Sequence, residues 1–234
     1  MLLPLLLLAL PAAAAPTVDG LDVDTLSRVD VRGTASAVAL LYADVRALPP
    51  ERRAAAAAAL RTLLRDDPYT RAALQLPVAL RAAVAPIPAE AFDRVVRRDW
   101  AYLQTGLDVH VALLSALDVD VGSLVGDDPL GETARLVASV PSRAAAVDAP
   151  TRARIDRLSE QVEAATGIGR PCPRGPWSVM PGQPWTLGLQ LAGWHDALRR
   201  VAPFVDDPAV GAQVDAMIAL LDAYGDATSA SLTP

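Results

Sequence analysis

The chain has one cysteine, two histidines and no lysine in 234 residues, and only 4% of it is aromatic. The lone Cys172 excludes an internal disulfide, so the fold has to stand on packing. Two histidines and one cysteine leave little material for a His/Cys metal centre or a Cys–His nucleophile pair. Neither histidine has a second ligand at metal spacing. With so few aromatics, the core has to be built mostly of Ala, Leu and Val. The missing lysine, beside abundant Ala, Gly and Pro, reads as the codon usage of a GC-rich genome. Also absent are a Gly-rich phosphate loop, Cys-x-x-Cys, His-Glu-x-x-His, Gly-x-Ser-x-Gly and a haem attachment motif. A net charge of -6 argues against nucleic-acid binding, which needs a basic surface to displace counterions. The sequence therefore leans away from an enzyme and calls for no cofactor and no metal.

What is present begins at the N-terminus. Met1 to Leu10 reads MLLPLLLLAL and runs into Pro11 and Ala12 to Ala15. A short apolar core followed by small residues has the form of a secretory signal peptide. It is half the roughly twenty residues that a membrane-spanning helix needs. The expected cut follows Ala14, and the expected location is periplasmic or secreted, with no integral membrane segment. Residues 15–33 read as an extended leader.

From there on, helices dominate. Ala, Leu and Arg are good helix formers, and alternating strand patterns are missing. Asp66-Asp67-Pro68, Asp127-Asp128-Pro129 and Asp206-Asp207-Pro208 each place an Asp ahead of a Pro that opens an apolar-periodic run. The Asp can accept a backbone N–H, and the Pro lacks one that would go unbonded. Pro50 and Pro88 are expected to open helices too. The patterning predicts about eight helices, at 35–48, 51–65, 69–84 (bent at Pro77), 88–120, 129–140, 150–166, 184–202 and 208–224. Val96, Trp100, Leu103, Leu107, His110, Leu114, Leu117 and Val121 step by four and three, the seam of a long helix packed lengthwise. Leu187, Leu191, Trp194, Leu198 and Val201 form a second seam, and Val210, Val214, Met217, Leu221 and Tyr224 a third. The expected fold is all-α, an antiparallel multi-helix bundle. Its main body spans 34–166 and its C-terminal hairpin 186–226. Between them, residues 167–185 hold five Pro and four Gly, a loop too long to be a plain connection.

That loop carries the best candidate cluster. Trp177, Trp185 and Trp194 fall within eighteen residues, and Arg170 and Arg174 flank Cys172. Trp and Arg are enriched at binding hot spots, and Trp stacks on sugar rings; the competing role is pinning the loop to the bundle through the indoles. Cys172 is either a thiol activated by its two Arg, an intermolecular link, or incidental. His110, on an apolar seam, is expected to be buried, as a core histidine or as a ligand inside the bundle. His195 has Asp196 beside it and Arg199 one turn on, which reads as a polar face. Asp118, Asp120, Asp127 and Asp128 resemble a cation loop in density but not in spacing, since Gly122 and Ser123 stand at positions 5 and 6 and no Glu at 12. Charge is also segregated. Residues 46–98 hold ten Arg against five acids, and 99–132 hold seven acids and no Arg. Either the two stretches face each other or a basic face is left to meet an anionic envelope surface.

Together these features describe an exported, non-enzymatic helical protein, a binding or structural component of the cell envelope. Its expected partner is an envelope protein or polysaccharide. Two other readings stand beside it: a carrier of an apolar small molecule held near His110, and an envelope hydrolase using a histidine and a carboxylate.

Overall fold

The structure is a computed structural model that describes residues 17–18, 21–22, 45–166 and 187–230. Thr17–Val18 and Leu21–Asp22 form a two-residue antiparallel ladder, β1 and β2. The rest is an all-α, multi-helix bundle. Its helices among the described residues are α1 (Pro50–Asp66), α2 (Pro68–Val84), α3 (Arg97–Ala116), α4 (Pro129–Ala145), α5 (Ala149–Thr166), α6 (Leu187–Val201) and α7 (Pro208–Ala230). Residues 45–47 are helical; the remainder of the helix expected over 35–48 lies outside the described residues.

The Asp–Pro device works at each helix start where the sequence places it. Asp67 accepts the Tyr69 N–H at 3.2 Å and the Thr70 hydroxyl at 2.6 Å. Asp128 accepts the Gly131 N–H and Asp207 the Ala209 N–H. Asp148 caps α5 through the Thr151 N–H, and that bond holds its carboxyl below the usual carboxylate range.

The long helix is shorter than expected at both ends. Pro88 opens only a single 3₁₀ turn, Ala89–Ala91. Phe92 then turns extended and forms an isolated bridge with Val205, and helix resumes at Arg97. The Phe92 ring tucks against Trp100, with centroids 4.3 Å apart. At the other end Asp118 adopts a left-handed φ of 54°. The Val119 N–H returns to Leu114 O and the Asp118 N–H to Ser115 O, both at 3.1 Å. That reversal ends the helix before 120. Between these limits the seam packs as its spacing requires: Val96, Trp100, Leu103, Leu107, His110, Leu114 and Leu117 are all buried.

The most enclosed helix is α2. Thirteen of its seventeen residues are buried, Pro77 among them, because α1, α3, α4 and α7 all pack on it. Only a narrow face, with Arg71, Arg81 and Ala82, is left uncovered. Two amide groups tie the helix to its neighbours. Gln75 Nε2 donates to the Thr133 hydroxyl of α4 at 3.1 Å, and Gln213 Nε2 of α7 donates to Ala83 O at 2.7 Å. Tyr224 is wholly buried. Burial raises its hydroxyl far above the ordinary tyrosine value, and the negative Asp67 adds to this. α5 lies on α1, and α6 on α3, so one continuous core joins residues from every helix.

Candidate functional site

α3 and α6 run antiparallel and approach closely because each offers a glycine to the other's aromatic. At Gly106 a β-carbon would come within 2.7 Å of Trp194 Nε1. At Gly193 it would come within 3.0 Å of the Tyr102 hydroxyl. Trp194 fills the first gap and meets the His110 ring edge-on, centroids 5.8 Å apart at 89°. Arg200 of α6 closes the seam on Asp99 of α3, 2.9 Å away.

This geometry places two of the sequence candidates together, but inside the core. Trp194 is 1% exposed and His110 3%. Trp194 therefore cannot belong to a solvent-facing aromatic cluster; it anchors α6. The indole stands against one side of the His110 ring. Arg170, Cys172, Arg174, Trp177 and Trp185 lie outside the described residues. The stretch that holds them joins α5 to α6.

The surface cluster is one the sequence read incompletely. His195 Nε2 lies 2.9 Å from Asp222 Oδ1, and Arg199 reaches both Asp222 oxygens through Nη2, at 3.3 and 3.2 Å. A carboxylate only accepts, so this contact requires the proton on Nε2 of His195. Arg199 Nε, 3.0 Å from the same nitrogen, then cannot use it as an acceptor, and Arg199 holds the cluster through Asp222. Asp196, the sequence neighbour, turns instead towards Arg200, 3.9 Å away. His195 is largely covered, while Asp222 and Arg199 are about half exposed. Nothing in the sequence singles out Asp222, which lies on the next helix, 27 residues on.

Asp118 O accepts from Arg61, Asp120 O from the Ser123 hydroxyl, and Asp128 caps α4. Among the described residues no group of three or more His, Cys, Asp or Glu could hold a metal ion. No described helix is long and apolar enough to cross a membrane. The basic and acidic stretches meet through one ion pair among the described residues, Arg81 with Asp108. Asp99 pairs with Arg200 instead, and Asp66 with Arg65 and Arg154. Among the described residues, two buried atoms, Gln75 Oε1 and Trp100 Nε1, meet no hydrogen-bond partner.

Comparison with family models, with curated proteins and with solved structures returned no match.

Proposed function

We propose that this chain is an exported, non-enzymatic helical protein, a binding or structural component of the cell envelope that makes contact through residues 167–185. The observation that carries this reading is how the stretch is mounted. It joins two helices that are each fixed on the core, α5 on α1 and α6 on α3, and α6 is held by the Trp194–Gly106 contact. Binding segments characteristically hang between rigid elements of this kind. The signal-like start supports export.

Two measurements test it. The intact mass of protein recovered from the producing cells is expected to lack residues 1–14. Cross-linking in those cells is expected to trap an envelope protein or polysaccharide. A Trp177→Ala/Trp185→Ala variant is expected to lose that product while melting as the parent does. A variant that unfolds with cross-linking unchanged would sink the contact reading.

The His195–Asp222 pair supports a second reading, an envelope hydrolase. His195 and Asp222 stand 2.9 Å apart, the spacing of an imidazole–carboxylate pair of the kind that serves general acid–base chemistry. Hydrolysis of an ester, peptide or glycan that disappears in His195→Ala, with the fold retained, would favour it. An inactive parent chain would exclude it for the substrates tried.

A further inference from the structure

The connection from α2 to α3 and the connection from α6 to α7 meet at one end of the bundle. Phe92 bridges Val205, and the Asp93 N–H donates to Phe204 O at 3.4 Å. On these tied segments stand Val95, 75% exposed, and Phe204, 42% exposed, the exposed large hydrophobic residues among those described. Pro88 and Pro203, on the same two segments, are exposed as well.

Charge at this corner is mixed and unpaired. Glu90, Asp93, Arg94, Arg97 and Arg98 are exposed along the first connection and the opening turn of α3, and Asp206 and Asp207 along the second connection. None of these seven enters an ion pair among the described residues, although the segments that carry them are bonded to each other. The remaining acid, Asp99, is held by Arg200 at 2.9 Å. Asp93 and Asp207 each give one oxygen to a backbone N–H, of Val95 and Ala209, and Arg97 donates to the Phe92 carbonyl. The signs are also set apart. The three arginines fall between 94 and 98, while the second connection carries acids alone.

An apolar centre ringed by both signs of charge calls for a partner that presents both. A purely anionic surface would meet four unpaired carboxylates here, and a purely cationic one three arginines. A second copy of the chain, turned through half a circle, supplies the same apolar centre and brings each run of charge against the opposite one. We propose that this corner is a two-fold interface between copies of the chain. Phe204 and Val95 form its centre, and Arg94 and Arg98 of each copy pair with the Asp206–Asp207 run of the other. Carboxylates delivered there also lie at the positive end of the α3 dipole, where Arg97 and Arg98 are disfavoured in the lone chain. Two large side chains per copy make a small centre, so the contact is reversible and concentration-dependent. The proposal is independent of any contact made by residues 167–185.

Sedimentation of the full chain tests it, in reductant so that Cys172 cannot link chains. The dimer fraction is expected to grow with concentration and to fall as salt rises. Hydrogen exchange locates the contact: amides of 90–98 and 202–207 are expected to slow several-fold as the dimer forms. Phe204→Ser is expected to weaken association roughly tenfold with the melting temperature kept. Arg94→Glu/Arg98→Glu and Asp206→Arg, which leaves the Asp207 cap in place, are each expected to stay monomeric where the parent dimerises. Mixed in equal amounts, the two variants are expected to associate again, because each now carries the charge that the other needs. A parent that stays monomeric at every soluble concentration would overturn the proposal. So would association that protects only amides outside the corner, or charge variants that fail to recover on mixing.

Discussion

The α3–α6 seam and the α1–α5 pair are both antiparallel helix contacts, yet they are built from opposite materials. The first spends scarce aromatics: Trp194 against Gly106, Tyr102 against Gly193, His110 edge-on to the indole. The second uses small and aliphatic residues, with Ala56, Ala57, Ala59, Leu60 and Leu63 buried on α1 and Ile155, Ser159 and Val162 on α5. An ion pair, Arg154 with Asp66 at 2.7 Å, closes its edge. In a chain with so few aromatics, the bulky groups are concentrated where two helices must be positioned accurately. Alanine packing elsewhere is more forgiving.

That contrast can be broken most directly at Trp194. Trp194→Ala is expected to cost about 3–5 kcal/mol through lost burial and the cavity left between α3 and α6. Ile155→Val on the other pair is expected to cost about 1 kcal/mol. Denaturant titration of both variants measures the difference, and equal losses would erase the distinction. Next in size, Gly106→Ala drives a methyl into a buried, rigid indole and is expected to cost about 1–3 kcal/mol. Gly193→Ala meets only the far end of a tyrosine and should cost less. If the two glycine variants melt alike, the reciprocal packing is not what sets the helix spacing.

How much of this was legible in the sequence depends on the range of the interaction. The seam of α3 was legible because a repeat of four and three depends only on the local helix. The Asp–Pro starts were legible for the same reason. The central place of α2 was not, since which helices cover it is decided by the packing of segments far away in the chain. The partner of His195 was hidden because Asp222 is brought there only by the packing of α6 on α7; the adjacent Asp196 was the visible and misleading choice. Of the three Trp that the sequence groups, the one described, Trp194, belongs to the core.

Smaller effects sharpen the comparison at the helix ends. Asp118→Gly relieves a left-handed residue at the end of α3 and is expected to stabilise by about 0.5–1 kcal/mol, read as a rise in melting temperature. Smallest is the edge of the α1–α5 pair. The Arg65 hydrogen bond, with the charges of Arg65 and Arg154, holds the Asp66 carboxyl below its ordinary value despite partial burial. A depressed carboxylate adds stability above its unfolded pKa and loses it as pH falls through the folded one. Asp66→Asn is therefore expected to destabilise slightly near neutral pH and to flatten the acid limb of a stability-versus-pH curve. Arg154→Ala is expected to cost no more than about 1 kcal/mol.

The ties between the two halves of the chain bear on when folding can finish. Asp99 waits for Arg200, 101 residues later, and the Ala83 carbonyl for Gln213, 130 residues later. α3 gains its packing against α6, and α2 its packing against α7, only when those later helices arrive. Contacts so distant in sequence form slowly, because the chain must close large loops before it gains from them. A chain threaded N-terminus first through a narrow channel would emerge almost to Tyr224 before its core could shut. Delay of this kind keeps a polypeptide loose enough to be passed along and commits it to its final shape only at the end of the journey.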